Sequence, residues 1–414
     1  MGIMQLHHES IEYTKNTPLS HRKSLGQYMT PGFIGDLLFK TLPIVSGSKI
    51  LDPAVGTGEL LLAAGRKHEI EELELYGWEI DANILKIGQK VVPSASMSIQ
   101  SLFASIDAKW IGYFDFVIGN PPYFELKKKD FNSKDFIVSS GRTNIYSLFF
   151  EKYLPLVKED GYLAYIIPPS MNAGAYFSEL RKYVVQNSQI LNLEIVRHNS
   201  HFVDALTSVQ IIVLQKKSSP DIKQISTNNF IVDFKKLTNN PSAPFIFTDN
   251  KKIIIKHWHD KKSLFDYGYE AVTGTIPWNQ YKDKLSDKQT QGSGKLYYAK
   301  DIAPTNTIKF SSKLDSRRWL STSKPAINGS AILINRIVGS LDAPRLKIAK
   351  VIDNNYYAEN HINVIRPIAS KTQLISLDEI YNRLINYKDL SSYLQAITGN
   401  TQLSAKELTY LLPL

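Results

Sequence analysis

The sequence contains no cysteine among its 414 residues. Disulfide bonds are therefore excluded, and so are zinc sites built on thiolate ligands. Apolar runs are short as well: none approaches the roughly 18 residues of a membrane span, and the first residues lack the apolar core of a signal peptide. Pairs such as His7-His8 and His257 with His259 lack the acids that would complete a ligand set. We expect a cytoplasmic protein with no membrane partner and no metal site.

The basic excess of the chain is confined to one end. Residues 246–414 contain 24 Lys and Arg against 15 Asp and Glu, which is a net charge of +9 out of +10 for the whole chain. A localised basic excess suits a polyanionic partner, because neutralising phosphates releases condensed counterions. The sequence therefore favours a nucleic-acid partner for that end, although many basic domains bind none.

Short apolar runs alternate with helical patterns through the first half of the chain. Strands are predicted at 49–52, 73–78, 114–119 and 162–167, and helices at 60–67, 82–90 and 145–157. Such alternation predicts a parallel sheet with helices on both faces, the α/β class. The later apolar run 208–215 is predicted to add an antiparallel edge strand.

The pattern changes after Lys216-Lys217, where the stretch to Pro244 is polar and punctuated by proline. A domain boundary is expected in such a stretch. We predict a first domain at 1–245 and a second, mostly β-containing domain at 246–414, with a helical tail from 377.

A glycine-containing loop follows the first strand. Residues 51–59 read Leu-Asp-Pro-Ala-Val-Gly-Thr-Gly-Glu, and Glu79 ends the next strand about 20 residues later. Glycines at a strand-to-helix turn let backbone approach a ligand, and an acid at this spacing accepts hydrogen bonds from ribose hydroxyls. The loop lacks both the full dinucleotide fingerprint and a Walker lysine, which disfavours NAD and ATP. S-adenosylmethionine is the adenosine-containing cofactor that remains.

The segment Asn120-Pro121-Pro122-Tyr123 directly follows the strand at 114–119. Two prolines fix two φ angles and remove two backbone donors, so that the Asn120 amide oxygen and the Pro121 carbonyl form a rigid pair of acceptors. Such acceptors suit an exocyclic amino group, whose lone pair they would direct at a methyl donor while Tyr123 stacks on the base. Catalysis then depends on positioning and electrostatics, without a strong base.

These motifs, in this order, resemble the γ-class DNA adenine-N6 methyltransferases of restriction-modification systems, such as the TaqI enzyme. The resemblance runs from about residue 25 to 217 and includes a first motif at 25–31, where Thr30 would touch the methionine moiety. It implies a Rossmann-like methyltransferase sheet followed by a target-recognition domain. The cofactor-binding residues that we predict are Thr30, Asp52, Ala54, Gly56, Gly58, Glu79, Ile80, Ser101, Leu102 and Asn120.

Two further positions take their meaning from the resemblance. Phe202 stands where the family keeps a second aromatic against the flipped base, although the residue by itself suits a core position. Ser101 stands where the family usually has an acid that binds the adenine amino group, and a hydroxyl accepts that hydrogen bond less strongly. We therefore expect weakened cofactor affinity, and whether Asp107 substitutes stays open.

The basic domain offers candidates for contact with double-stranded DNA, namely Lys313, Arg317, Arg318, Arg336, Arg345 and Lys347. For a single lysine or arginine, a solvated surface position is the plainer interpretation. Because the cofactor motifs begin near residue 25, we expect the cognate restriction endonuclease to be encoded separately, and we expect a monomer.

Three alternatives stay open. Release-factor glutamine methyltransferases use the same Asn-Pro-Pro-Tyr segment, some RNA adenine methyltransferases share the glycine loop, and Ser101 is compatible with a nucleic-acid binder that has lost activity. The motif at 25–31 and the large basic domain favour DNA methylation.

Overall fold

The computed structural model describes residues 6–66, 69–127, 129–139, 141–196, 208–219, 223–238, 240–310, 317–336, 339–340, 343–397 and 403–414. The chain forms two compact units. Unit 1 comprises Met1–Asn172, Tyr176–Ile231 and Phe247–Asp249, and unit 2 comprises Ala173–Ala175, Val232–Ile246 and Asn250–Leu414. Residues 232–245, which the sequence analysis assigns to the first domain, therefore belong to unit 2.

Unit 1 contains a seven-stranded sheet with the order β3-β2-β1-β4-β5-β7-β6. Its strands are β1 (Lys49–Asp52), β2 (Glu74–Glu79), β3 (Ser96–Ile99), β4 (Phe114–Gly119), β5 (Val157–Ile167), β6 (Ser188–Val196) and β7 (Val209–Lys216). The first five are parallel, and β7 is antiparallel to both of its neighbours. This topology confirms the predicted α/β class and the Rossmann-like arrangement of the sheet.

The prediction of an antiparallel strand at 208–215 is confirmed, but its place at the edge is wrong. β7 lies between β5 and β6, and β6 forms the edge. Six consecutive residues of β7 are buried, as an interior strand requires, whereas buried and exposed residues alternate along much of β6. The polar positions within β6 hide it from a search for apolar runs.

The helices of unit 1 are α1 (His8–Asn16), α2 (Leu19–Leu25), α3 (Gly32–Lys40), α4 (Glu59–Ala64), α5 (Ala82–Val91), α6 (Ile145–Tyr153), α7 (Ser178–Asn187) and α8 (Gln224–Thr227). Two of these helices, α5 and α6, begin with polar side-chain caps. Asp81 accepts from the Asn83 amide at the start of α5, and Asn144 accepts from the Tyr146 amide at the start of α6. These side chains satisfy amides that the helices leave without intrahelical partners.

The carboxyl ends of the parallel strands meet at one edge of the sheet. Asp52 pairs with Gly77 across β1 and β2, Glu79 pairs with Ile99 across β2 and β3, and Gly119 pairs with Tyr165 across β4 and β5. The strand order reverses between β1 and β4, and ligands bind at such a switch point in open α/β sheets. The glycine loop, the acid Glu79 and the Asn-Pro-Pro-Tyr segment therefore share one edge.

Unit 2 is built around two four-stranded sheets, β10-β19-β14-β17 and β11-β13-β12-β18. Its strands are β8 (Ile231–Asp233), β9 (Phe245–Phe247), β10 (Tyr269–Thr273), β11 (Leu285–Ser286), β12 (Gly294–Tyr297), β13 (Trp319–Leu320), β14 (Ala331–Asn335), β15 (Gly339–Ser340), β16 (Ala343–Pro344), β17 (Ile348–Val351), β18 (Tyr356–Ala358) and β19 (Ile362–Pro367), with β8 shared between the units at Ile231 and β9 at Phe247. The predicted β content of this part is confirmed.

Both faces of β14 are buried. Ile332 and Ile334 pack into a cluster with residues of the helices, whereas Ala331 and Leu333 pack with Tyr297 from the other four-stranded sheet. The helices of unit 2 are α9 (Phe234–Thr238), α10 (Lys251–His257), α11 (Leu377–Ile385), α12 (Leu390–Ile397) and α13 (Ala405–Leu411). In the described part of the helical tail predicted from 377, α11, α12 and α13 contribute buried residues to this core.

Within the described ranges, no helix is long and apolar enough to cross a membrane.

Candidate cofactor pocket and catalytic segment

A cavity opens at the carboxyl edge of the unit 1 sheet. Its empty volume, including the open mouth, is about 960 Å³. Nine of the residues predicted to bind the cofactor line it: Thr30, Asp52, Ala54, Gly56, Glu79, Ile80, Ser101, Leu102 and Asn120. Gly58 does not. It has φ +84° and directly precedes α4, so it shapes the turn that carries Gly56 to the cavity.

Glu79 is held rigidly at the end of β2. One carboxylate oxygen accepts from the amide of Gly56 at 3.0 Å, and the other accepts from the amides of Ile80 and Asp81 at 2.8 and 3.0 Å. Burial raises the pKa of Glu79, and these three backbone hydrogen bonds oppose that rise. Glu79 therefore links the glycine loop to β2, and the oxygen that accepts from Gly56 keeps one lone pair for a hydroxyl donor.

Asp52 supplies a second buried carboxyl group to the cavity. Its side chain is 2% exposed, and one oxygen accepts from the Ala54 amide at 3.0 Å. Burial raises the pKa of Asp52 to about 7 against the effect of that hydrogen bond, and the negative charge of Glu79 adds to the rise. A cationic ligand in the cavity would favour the ionised form.

Ser101 lines the cavity just after β3, at the position where the resemblance predicts an acid. The Ser101 hydroxyl accepts from the Phe103 amide at 3.2 Å, and Leu102 is buried beside it. Asp107 does not line this cavity; it accepts from the Lys109 amide and begins a short 3₁₀ helix. Asp107 thus offers no replacement for the missing acid in this structure.

Asn120 follows β4 and is half-buried at the cavity wall. Its side-chain nitrogen donates to the Tyr28 carbonyl at 3.2 Å and to the Thr30 hydroxyl at 3.0 Å. Its side-chain oxygen accepts from the Tyr123 hydroxyl. The amide is therefore oriented by partners on both sides.

The other three residues of the Asn-Pro-Pro-Tyr segment differ in their burial. Pro121 is buried, Pro122 lines the cavity, and the half-buried Tyr123 also donates to the Ile166 carbonyl at 2.9 Å. Its ring meets that of Tyr146 edge-on, with 6.4 Å between centroids. Burial raises the pKa of Tyr123 well above its ordinary value, so the phenol stays protonated and acts as a donor.

Several lining residues were not among the predicted cofactor-binding residues. They come from three segments, before α3, after Tyr123 and within α6: Leu25, Gln27, Tyr28, Met29, Phe124, Ile145 and Phe149. Those before α3 belong to the motif at 25–31, whose role was assigned through Thr30 alone. The aromatic side chains carry no signal in sequence that separates a pocket wall from a core.

The candidate DNA-contacting residues of unit 2 differ in their exposure to solvent. Arg318 must be withdrawn, because it is 5% exposed and forms an ion pair with the fully buried Asp301 at 2.9 Å. Arg336 is half-buried and donates to the Asn360 carbonyl. Arg317 and Arg345 are exposed and Lys347 is partly exposed. Lys313 and the predicted stacking residue Phe202 lie outside the described residues.

No group of three or more His, Asp or Glu side chains in the described part of the chain is arranged to hold a metal ion.

Comparisons with known proteins identify one family model and several relatives. Residues 59–202 match the family described as Eco57I restriction-modification methylase. The Type II methyltransferase M.AccI of Acinetobacter calcoaceticus is 24% identical over 287 residues, which cover 66% of this chain and 49% of that protein. The modification methylase CviBIII of Paramecium bursaria Chlorella virus NC1A is 27% identical over 238 residues, which cover 56% and 60%.

A longer match extends through unit 2. The Type II methyltransferase M.BsuBI of Bacillus subtilis is 23% identical over 458 aligned positions, which cover 95% of this chain and 88% of that protein. By contrast, the chain spans only 49% and 60% of the length of M.AccI and CviBIII. The family match supports S-adenosylmethionine as the cofactor. The predicted resemblance to methyltransferases of restriction-modification systems is confirmed, while the γ-class assignment stays a prediction.

Proposed function

We propose that this protein is a site-specific DNA methyltransferase that modifies the exocyclic amino nitrogen, N6, of an adenine in double-stranded DNA. The observation that carries the proposal is the Asn120 amide, whose nitrogen is bound to unit 1 backbone and side chain and whose oxygen is turned away from them. An acceptor fixed in this way, at the end of β4 and on the wall of the cavity, suits an amino group.

The cavity fits S-adenosylmethionine by its chemistry. Glu79 offers its remaining lone pair to a ribose hydroxyl, Leu102 and Phe149 provide apolar walls for a base, and Asp52 favours a cationic ligand. When bound, the cofactor supplies an electrophilic methyl group on a sulfonium. The chain itself supplies orientation and a partly buried, low-dielectric environment.

The amino nitrogen would donate to the Asn120 oxygen and to the Pro121 carbonyl. These two hydrogen bonds withdraw the nitrogen lone pair from the ring system and direct it out of the base plane. No strong general base is required, because the catalytic effect comes from positioning and electrostatics. Tyr123, fixed through its hydroxyl, would stack on the base, and Phe202 is proposed for the other face.

An adenine inside a duplex cannot reach this pocket, so the nucleotide must rotate out of the helix, and stacking offsets part of the lost pairing. The basic excess at 246–414 supports unit 2 as the part that holds the duplex. Arg317, Arg345, Lys347 and Lys313 remain candidates for phosphate contact.

A second group of cations in unit 2 lies among aromatic rings. Lys282 lies 5.4 Å from the ring centroid of Trp278, and Lys284 and Lys324 lie 5.7 and 5.2 Å from that of Tyr281. Trp278 is 36% exposed. Lysines beside accessible rings suit both phosphate contact and base stacking. We name these five residues the Trp278 patch and propose that it contacts DNA.

We further propose that the protein acts as a monomer and protects DNA against a separately encoded restriction endonuclease. The test of substrate class is transfer of a labelled methyl group to duplex DNA, to RNA and to a glutamine-containing release-factor protein in parallel. Label in duplex DNA alone supports the proposal. Label confined to RNA or to protein would replace it with one of the other two activities.

A further inference from the structure

The segment Gly26–Thr30 runs along the catalytic segment and touches it at three places. The Tyr28 carbonyl and the Thr30 hydroxyl accept both hydrogens of the Asn120 amide nitrogen. A Cβ built on Gly26, which has φ +68°, would lie 2.4 Å from the Pro122 Cβ. Only glycine allows so close an approach in this backbone conformation. We call residues 26–30 the strap.

The strap is also anchored at its other side. Gln27 donates from its side-chain nitrogen to Asp81 at 3.0 Å and accepts from the Tyr13 hydroxyl at 2.8 Å. Asp81 caps α5 directly after Ile80, which follows Glu79. The strap is therefore fixed between the ribose-binding end of β2 and the catalytic end of β4.

We propose that Thr30 is a positioning residue for the methyl transfer, acting by fixing which end of the Asn120 amide faces the target base. The inference rests on the proposed function and assigns Thr30 a role beyond contact with the cofactor.

The physical reason lies in the asymmetry of an amide. A backbone carbonyl can only accept, so the Asn120 nitrogen must face Tyr28, and the Thr30 hydroxyl adds a second acceptor on the same side. The Asn120 oxygen then faces the other way, where Tyr123 donates to it and one lone pair is left. A rotated amide would present hydrogens to the amino group of the base, and donor would meet donor.

Thr30 suits this task because it is only 6% exposed. Because the Thr30 hydroxyl is buried, water hardly competes for its hydrogen bond with Asn120. Removing this hydroxyl leaves the second hydrogen of the Asn120 amide without its partner. The amide would then sample the rotated state, in which the acceptor for the base is absent. The result is a slower chemical step rather than a weaker cofactor complex.

The test compares Thr30→Val, which removes the acceptor oxygen and keeps the branched shape, with Thr30→Ser, which keeps the oxygen. Single-turnover methylation of duplex DNA is measured at saturating S-adenosylmethionine, and calorimetry supplies the cofactor affinity. We expect Thr30→Val to slow the rate about 10-fold to 100-fold, as small misplacements do. Thr30→Ser should stay within about threefold of the unchanged protein.

Thr30→Ala, which removes the same oxygen without adding a methyl group, serves as a second variant, and melting temperatures confirm that each variant is folded. If saturating cofactor restores the full rate to Thr30→Val and Thr30→Ala, Thr30 is a cofactor ligand only and the positioning role is overturned. An equally slow Thr30→Ser also overturns it. An unchanged protein that binds the cofactor yet methylates no duplex DNA would overturn the proposed function, and this role with it.

Discussion

Asp52 and Glu79 place two carboxyl groups on the wall of one cavity, and both are almost completely buried. Burial favours the neutral form of an acid, which is why the pKa of Asp52 rises to about 7. A bound cation favours the ionised form. Ligand charge and the protonation of Asp52 are therefore linked through the same binding equilibrium.

This linkage predicts the pH dependence of cofactor binding. Below pH 7 Asp52 holds a proton that a cationic ligand must displace, so the affinity for S-adenosylmethionine should fall by about tenfold from pH 8 to pH 6. Titration calorimetry across that range measures the affinity. Asp52→Asn should flatten the profile, and S-adenosylhomocysteine, which lacks the sulfonium charge, should show a weaker dependence. A pH profile that Asp52→Asn leaves unchanged would contradict the assignment to Asp52.

Arg317 and Arg318 are neighbours in sequence with opposite environments. Arg318 is buried against the Phe310 ring, at 4.0 Å from its centroid, and is paired with Asp301, while Arg317 is exposed. Nothing in the local sequence distinguishes them, because the partner Asp301 lies 17 positions away and is brought close only by the fold of unit 2. Charge alone therefore led to the wrong assignment for Arg318.

Replacing the two arginines should separate stability from DNA binding. Arg318→Ala leaves Asp301 buried without its cation and should cost about 3–5 kcal/mol, whereas Arg317→Ala should change stability by less than about 0.5 kcal/mol. Thermal denaturation measures both. A stable Arg318→Ala variant with weakened DNA affinity would contradict the buried role and restore Arg318 as a contact.

Among the elements of unit 1, the strap connects the end of β2 to the catalytic segment. Two glycines with positive φ provide a matched test of it. Gly26 has φ +68° and lies against Pro122, whereas Gly47 has φ +81° and its Cβ position has no atom within 4 Å. The positive φ disfavours a side chain at both sites, but only a side chain at Gly26 would also clash with the catalytic segment.

We expect Gly26→Ala to lower kcat by about 10-fold to 100-fold, because the added Cβ displaces Pro122 and with it Asn120. Gly47→Ala should cost a similar 1–2 kcal/mol of backbone strain and leave kcat unchanged. Steady-state kinetics with thermal melts distinguishes the two effects. Equal loss of kcat in both variants would show that the strap acts through stability alone.

The elements of unit 1 that carry continuous apolar runs were predicted well from sequence. β1, β2 and β4 lie within one residue of their predicted positions because each is a short, mostly buried run bounded by turns or helices. β5 begins at Val157, five residues before the predicted strand, and the helix predicted at 145–157 ends at Tyr153, because the exposed residues Glu159 and Asp160 mask the start of the strand. β3 and β6 were missed, since their polar residues give a mixed pattern. In the pocket, the residues of the glycine loop and the Asn-Pro-Pro-Tyr segment were predicted from their motifs and spacing. The contribution of apolar lining residues such as Phe149 depends on long-range packing, which the sequence pattern does not reveal.

At the scale of the whole molecule, charge is divided unevenly along the chain. Nearly all of the +10 net charge comes from residues 246–414. Binding of a basic surface to DNA weakens with salt in proportion to the number of phosphates neutralised. The salt dependence of binding therefore reports which lysines meet the duplex.

The double variant Lys282→Gln/Lys284→Gln, within the Trp278 patch, should lower the slope of log affinity against log salt by about 2. Lys40→Gln/Lys86→Gln, which removes two exposed lysines of unit 1, is the matched control and should leave the slope unchanged. Fluorescence anisotropy with a labelled duplex measures both. An unaltered slope in the first variant would place the DNA elsewhere.

The role of Asn120 in adenine methylation is tested by identifying the modified nucleoside. Duplex DNA is incubated with S-adenosylmethionine and either the unchanged protein or Asn120→Ala, then digested and measured by mass spectrometry. We expect N6-methyladenine with the unchanged protein and at least a hundredfold less with Asn120→Ala, roughly the loss seen when a key transition-state hydrogen bond is removed. Equal yields from both proteins, or methylation of another base, would contradict it.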